Sequence, residues 1–362
     1  MKFLSVGFKH FRNLEDTLIP TDAKKILLVG KNGQGKTNFL EALYTLCYGS
    51  SFRTNVSAIM CKHGHDNFSL SAVAESDDSL HQTIFFSFTP SKREIRIDGK
   101  EIRDRKELMY NIPCIVFSHD DIEFVRGTPE NRRRFFDQTM SMYDPLFFDD
   151  LRRYKSILKQ RNAAIKENYI QILPLYNQQI AEVGIRIQQQ RKAMVDEFNE
   201  IFPDLYNDVS DSSSLIHIRY RPSWRKCETK EDIVERLEEN LDRDIRMQTT
   251  VTGIHRDQFV MMDDHVQFTH KGSTGQLRLA SLIFRIAQMH TYRKKTGKNP
   301  VLLIDDVLLE LDITKRGRFL QQLTGYEQAF FTFLPDEQYF LASGTDDRIV
   351  YDIDEGKCVE HG

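Results

Sequence analysis

With 362 residues, 40% of them apolar, the chain is long enough for two or three lobes and apolar enough to bury a full core, which excludes a disordered protein. A net charge of −3 and a pI near 6.4 exclude an overall basic character, so any contact with nucleic acid has to come from a local patch. The five cysteines form no CxxC pair and no apolar run reaches membrane-spanning length, so a soluble protein of a reduced, cytoplasmic compartment with no membrane contact is expected.

Residues 2–8 and 16–20 read as short strands around Phe11-Arg12-Asn13-Leu14, and with the apolar run at 26–29 they are expected to start a sheet. That run leads into Gly30-Lys31-Asn32-Gly33-Gln34-Gly35-Lys36-Thr37, and then Phe39, Leu40, Leu43, Leu46 and Cys47 recur at helical spacing. A strand, a glycine loop and a helix in this order make a phosphate cradle. The glycines let successive N–H groups turn inward, and the helix adds its positive end behind them. Lys36 then sits on the β- and γ-phosphates of ATP and the Thr37 hydroxyl on Mg²⁺. Gly49 is the expected helix stop. In the polar loop that follows, Arg53 is either a phosphate contact or a solvated cation. Cys61-Lys62-His63-Gly64-His65-Asp66 carries metal-ligating residue types, but no second cluster completes four ligands and no metal site is expected there.

Residues 68–74, 81–88 and 93–97 alternate apolar with polar, and Asp98-Gly99 marks a hairpin turn, so an antiparallel meander is predicted. Ile112 to Phe117 reads as a buried strand, and from there to about residue 246 long helical patterns dominate. Thr128-Pro129 starts a helix with Arg132-Arg133-Arg134 just inside it. Three consecutive residues fan over about 200° of a helix, so they do not all face one ligand. Further cations follow at Arg152, Arg153, Lys155, Lys159, Arg161 and Lys166; these form either a solvated helix face or a phosphate-contacting stripe. The segment 175–200 is a glutamine-rich helix with Leu175, Ile180, Val183, Ile187, Met194 and Phe198 as candidate core, and 230–247 a charged helix. Strands return at 215–220 and at 258–268, the latter turning at Asp263-Asp264. Before it, His255 and Arg256 are either site residues or part of a structural Arg256–Asp257 arrangement.

The second constellation begins at Ser273-Thr274-Gly275-Gln276, where Ser273 caps a helix with Leu279, Leu282, Ile283, Ile286 and Met289 on its apolar side, and Gly275 allows close approach of a ligand. Val301-Leu302-Leu303-Ile304-Asp305-Asp306 is a buried strand ending in two carboxylates. In a phosphate-loop protein that is the place of the Mg²⁺ aspartate, here Asp305, and of the group that orients the attacking water, here Asp306. Glu310-Leu311-Asp312 leads into a further helix, and the strand at 328–333 brings Thr332 toward the γ-phosphate.

The order of phosphate loop, Ser-x-Gly-Gln signature, Asp-Asp pair and Glu-Leu-Asp loop resembles the ABC-type ATPase heads of the SMC group. About 240 residues separate Lys36 from the signature, with no sustained heptads, so no long coiled coil is expected. Within that group Phe11-Arg12-Asn13, Asn38, Glu41-Ala42, Ser51-Phe52-Arg53, Val116-Phe117-Ser118 with Asp121, Arg132 to Phe135 with Asp137, and His255-Arg256-Asp257 resemble the RecF family of bacterial recombination mediators. The chain departs from that family's pattern at His119, Leu277, Leu309 and Phe333.

The resemblance implies an α/β ATPase head with an antiparallel meander and a mainly helical second lobe: 1–118 and 290–362 in the ATPase lobe, 119–289 in the helical one. It implies a weak, DNA-stimulated ATPase that dimerises on ATP and binds DNA at single-strand/double-strand gaps. It further implies work with RecR and RecO to load RecA, in replication restart and the SOS response. Arg132, Arg133, Arg134, Arg152 and Arg153 are the expected DNA contacts. Two readings from other classes remain: a metabolic phosphate-loop kinase or small-molecule ATPase, which gives Ser273 to Gln276 no role, and a nucleotide-responsive scaffold with negligible turnover.

Overall fold

The computed structural model of the chain describes residues 1–76, 78–340 and 347–361. They form two compact units, one of residues 1–119 with 292–362 and one of residues 120–291.

In the first unit β1 (Lys2–Lys9) and β2 (Thr17–Pro20) pair antiparallel, but the run at 26–29 does not join them. β3 (Lys25–Val29) is buried from Ile26 onward and hydrogen-bonds on both edges to strands from the far end of the chain. A strand with no wet face needs neighbours and cover on all sides, and an antiparallel meander leaves one face in water. β1 and β2 instead continue through β4 (Phe68–Glu75), β5 (His81–Phe88), β6 (Arg93–Ile97) and β7 (Lys100–Glu101) in a six-stranded sheet of order β2-β1-β4-β5-β6-β7. β4 alternates buried and half-buried residues along its whole length, the mark of that one wet face. Asp98 and Gly99 turn the β6–β7 hairpin with φ of 49° and 75°, the left-handed pair that a two-residue turn of this hand requires. The helix Lys36–Tyr48 follows the glycine loop, buries Phe39, Leu40, Leu43, Leu46 and Cys47, and stops at Gly49, whose φ is 63° and whose N–H closes on the Thr45 carbonyl. β8 (Cys114–Phe117) is wholly buried and starts two residues later than the sequence suggests, because Pro113 has no N–H for a ladder.

The second unit is mainly helical. Thr128 caps Pro129–Ser141, Asp144 caps Pro145–Lys166, and Leu173–Asn199 packs along the latter. Its core is aromatic, with Phe135, Phe136, Phe198, Phe202 and Phe284 in mutual ring contact. In Leu173–Asn199 the predicted core positions are buried except Leu175, which is 55% exposed: it lies in the first turn. The segment 230–247 is two helices, Lys230–Glu239 and Leu241–Met247, with Asn240 between them. A small sheet of order β11-β10-β9 joins β9 (Ile216–Arg221), β10 (Gln258–Asp263) and β11 (Val266–Gln267). The segment 258–268 turns at Asp264, φ 53°, as expected and forms a hairpin, but Phe268 already belongs to a short helix.

The first unit is completed by β12 (Val301–Ile304), β13 (Gln328–Phe333), β14 (Arg348–Asp354) and β15 (Lys357–Glu360). With β3 and β8 they make a second six-stranded sheet of order β15-β14-β3-β13-β12-β8, parallel except for the β14–β15 hairpin. β13 lies between β3 and β12, so the loop after β3, the carboxylates after β12 and Thr332 on β13 converge at one end of the sheet. That end, outside the carboxyl ends of parallel strands, is where open α/β sheets bind ligands.

Candidate functional site

The glycine loop leaves β3 at Gly30, whose N–H donates to the Phe333 carbonyl. Gly33 and Gly35 take φ of 81° and 124°, conformations that side-chain-bearing residues rarely adopt, and so curl the backbone into a cradle. Lys36 is 3% exposed. Its ammonium donates to the carbonyls of Gly30 at 2.8 Å and Lys31 at 3.3 Å and lies 3.8 Å from Asp306 Oδ2. The lysine therefore lies folded into the loop it serves.

Asp305 sits just past β12, its N–H bonded to the Phe117 carbonyl and its Oδ1 accepting from the Thr37 hydroxyl at 2.9 Å. Asp306 turns into the left-handed region with φ 50°, its N–H donating to Thr332 Oγ1 at 2.7 Å. The Thr332 hydroxyl is 2.8 Å from Asp306 Oδ1 and 3.3 Å from Asp305 Oδ1, so this threonine, expected near the γ-phosphate, spans both carboxylates. Burial pushes the Asp305 carboxyl up to about 6, and the neighbouring Asp306 adds to the rise against the opposing Thr37 and Thr332 hydrogen bonds. A buried carboxylate short of positive charge, with a hydroxyl beside it, is the hard oxygen set that suits Mg²⁺, so the residues present fit that ion.

A second layer of residues fixes the loop. Asn13 Nδ2 donates to the Gln34 carbonyl at 3.2 Å and the Gly33 carbonyl at 3.4 Å, and its Oδ1 accepts from Asn38 Nδ2 at 2.7 Å. Arg12 grips both oxygens of the fully buried Glu41 at 2.8 Å, and Ser51 donates to the same carboxylate. Arg53 donates to Asn38 Oδ1 at 2.8 Å and lies 3.4 Å from Glu41, so it is neither a plain solvated cation nor uncommitted. The supporting roles of Asn13 and Asn38 have no sequence signal beyond the resemblance. Gln34 turns its side chain away from the cradle, toward Glu355 N–H.

In the second unit, Ser273 caps the helix Thr274–Thr296 as expected, and reciprocally: Ser273 Oγ accepts from Gln276 N–H at 3.3 Å, and Gln276 Oε1 from Ser273 N–H at 2.8 Å. Gln276 thus has a capping role that the sequence reading missed, although a serine followed three residues later by glutamine was its signal. Ser273, Thr274, Gly275 and Gln276 are all exposed, and nothing lies within 4 Å of where a Cβ on Gly275 would be. The next residue, Leu277, is buried.

The expected DNA cations separate. Arg132 donates to the Gly127 carbonyl at 2.7 Å and Arg133 to the Asp257 carbonyl at 2.8 Å, so both brace their own unit, whereas Arg134 is exposed. Arg152 is exposed and stacks over Phe148, and Arg153 lies 3.7 Å from Glu182. Arg161 does not belong to this surface stripe. It is fully buried, donating to Asp244 and Thr250 at 2.7 Å each and to Asn177 at 2.9 Å.

Asp257 pairs with Arg191 at 2.8 Å rather than with Arg256, and also accepts from Tyr220 and from Ser223 N–H. Arg191 in turn reaches Asp137 at 2.9 Å. His255 sits between the Tyr154 hydroxyl and the Thr250 carbonyl, a structural place. Leu309 is 40% exposed, Asp312 caps the helix Ile313–Gln322, and the Glu310 side chain lies outside the described residues.

A parallel sheet with a glycine loop after one strand, a paired carboxylate after another, and a capped Ser-x-Gly-Gln helix in a second unit defines an ABC-type ATPase head. The RecF/RecN/SMC N-terminal domain family matches residues 3–345. The "DNA replication and repair protein RecF" of Treponema pallidum is 42% identical over 97% of this chain and 99% of its own length, and that of Leptospira interrogans serovar Lai 32% identical over 99% and 98%. The solved structure titled "recombination mediator protein RecF-ATP in RecFOR pathway" superposes with a TM-score of 0.90 at 25% identity, over 100% of this chain and 98% of that one. An Smc head bound to part of ScpA shares the fold, with a TM-score of 0.57 over 100% and 98% at 14% identity. The chain belongs to the RecF family of this group.

Proposed function

We propose that the chain is an ATP-dependent DNA-binding repair protein whose two copies close on ATP, with the glycine loop of one copy and the Ser273 turn of the other on the same nucleotide. The observation that carries this reading is that the loop, Thr37, Asp305 and Asp306 converge in one unit, while the signature turn of the other unit is capped by its own residues and exposed. Backbone N–H groups at Gly33 to Thr37 bind phosphate oxygens, and the Lys36 ammonium exchanges the Gly30 and Lys31 carbonyls for the terminal phosphates. Asp305 and Thr37 hold Mg²⁺, which when bound supplies charge neutralisation across the phosphates. Asp306, held by Thr332, orients the attacking water. On the partner copy the Ser273 turn offers helix N–H groups to the γ-phosphate, which ADP lacks.

Arg134, Arg152 and Arg153, with Lys155 and Lys159, are the cations proposed to meet the DNA backbone. Relatives named for DNA replication and repair, and a solved structure titled for the RecFOR pathway, support the general recombination-mediator role. Within that role we propose binding at single-strand/double-strand gaps, cooperation with RecR and RecO in loading RecA, and a part in replication restart and the SOS response. Weak, DNA-stimulated ATP hydrolysis in the cytoplasm belongs to the same proposal. The test is sedimentation of the protein with no nucleotide, with ADP and with a slowly hydrolysed ATP analogue, each with and without gapped DNA. A dimer with the analogue alone is expected, with DNA affinity falling at least about tenfold between roughly 50 and 200 mM salt. A monomer under all conditions, or DNA binding indifferent to salt, would refute it.

A further inference from the structure

We infer that the turn of the terminal hairpin, Glu355-Gly356, positions the phosphate loop by holding Gln34 and so sets how tightly the loop takes nucleotide. The inference rests on the reading of Gly30 to Thr37 as a nucleotide cradle.

β14 is paired in parallel with β3 down to Asp352↔Val29, so the two strands deliver their following residues side by side. Beyond the strand ends Glu355 N–H donates to Gln34 Oε1 at 2.5 Å, and Gly356 N–H to the Gln34 carbonyl at 2.8 Å. The same carbonyl accepts from Asn13 Nδ2, and the Gly356 carbonyl accepts from Glu15 N–H at 2.9 Å, so turn, loop and N-terminal segment are mutually bonded. In a planar trans peptide the carbonyl of one residue and the N–H of the next point in opposite directions. Holding the Gln34 carbonyl toward the hairpin therefore aims the Gly35 N–H the other way, into the cradle. Asn13 does the same for the Gln34 N–H through the Gly33 carbonyl.

The fit leaves no slack. Gly356 has φ +84°, and a Cβ there would lie 1.8 Å from the Asn13 carbonyl oxygen; a Cβ on Gly30 would lie 2.4 Å from the Ile353 carbonyl oxygen. Both obstacles are backbone, so a side chain at Gly30 has to move the hairpin off the loop, and one at Gly356 has to part the hairpin from the Asn13 segment that also holds the loop. The Gln34 side chain is accordingly a positioning group, and the loop's affinity depends on a turn more than 300 residues further along the chain.

The test uses the full-length protein and measures ATP and ADP binding by calorimetry together with KM and kcat. Gly356→Ala is expected to raise Kd for both nucleotides and KM about tenfold while kcat at saturation stays within about twofold, because Asp305, Asp306 and Thr332 are untouched. Gln34→Met, similar in shape but without Oε1, is expected to raise Kd about threefold, and Lys357→Ala, on the hairpin but off the turn, to change nothing. If Gly356→Ala does not fold, the comparison of Gln34→Met with Lys357→Ala decides. Wild-type affinity in Gln34→Met, or a loss in Gly356→Ala confined to kcat, would overturn the inference. Lys36→Met separates the two levels: if it abolishes ATP binding while the hairpin variants bind normally, only the positioning role fails, and if it binds ATP normally, the cradle reading itself fails.

Discussion

Asp305 and Asp306 are the same residue in adjacent positions, and the backbone makes them different. Asp305 remains in line with β12, buried and bonded to Thr37, while Asp306 turns left-handed toward Lys36 and Thr332. Asp305→Asn is therefore expected to lose most of the Mg²⁺-dependent gain in ATP affinity. Asp306→Asn should keep that gain, since asparagine tolerates the left-handed backbone, and should accumulate as an ATP-bound dimer. Nucleotide titrations with and without Mg²⁺ check this, and identical behaviour of the two variants would refute the division of roles. The pair was legible because two acids end a wholly apolar run. Arg161 was not: it shares a basic helix with Arg152 and Arg153, and only tertiary packing, which brings Asp244, Thr250 and Asn177 around it, shows that it points inward. Removing Asp244 would leave that guanidinium buried and uncompensated, the situation that makes broken buried pairs costly.

Among the elements, the turn at His255 makes the second unit sensitive to acid. Thr250 offers a carbonyl, which only accepts, so Nε2 carries the proton and Nδ1 accepts from Tyr154. Burial, with Arg256, Arg133 and Arg191 nearby, lowers the imidazole from 6.5 to about 4. The unfolded chain then takes up a proton that the folded unit refuses. Stability is full above pH 6.5 and falls as the pH drops toward 4, by about 2 kcal/mol at pH 5. Urea unfolding followed through Trp224, the sole tryptophan and fully buried, measures this at pH 7.5 and 5. His255→Gln should lose less stability on acidification than the wild type, and an equal loss in both would count against the assignment. Element type and order were legible where periodicity was long, as in Lys36–Tyr48 and Leu173–Asn199. The turn at Asp263-Asp264 was legible from its acidic pair, but the break at Asn240 was not, because it interrupts its element through backbone conformation rather than through any change in apolar pattern.

For the molecule as a whole, the proposed shared site predicts complementation. Ser273→Arg should bind nucleotide through an intact loop yet fail to dimerise with ATP, and Lys36→Met should fail in the loop alone. Mixing the two leaves one intact loop and one intact signature in a mixed dimer, so ATPase activity should recover partly, as a steady-state assay of the mixture against each variant alone would show. Full activity of Ser273→Arg by itself would place the whole site within one chain. The loop, signature and carboxylate pair were readable in sequence because each is a short local pattern. Which sheet β3 joins was not readable, since its partners lie more than 300 residues away and no local pattern names them.

That remoteness also bears on how the protein is made. β3 lies between β13 and β14, both beyond residue 327, so during translation at roughly 5–20 residues per second the strand that carries the glycine loop waits about 15–60 s for either neighbour to leave the ribosome. In that interval residues 120–291 have all emerged, while Ile26 to Val29 remain an unpaired apolar edge of the kind that nascent-chain chaperones shield. The nucleotide cradle is thus among the last parts of this protein to come into existence, and a ribosome that stalls between residues 291 and 328 releases a chain with its helical unit complete and no means of holding ATP.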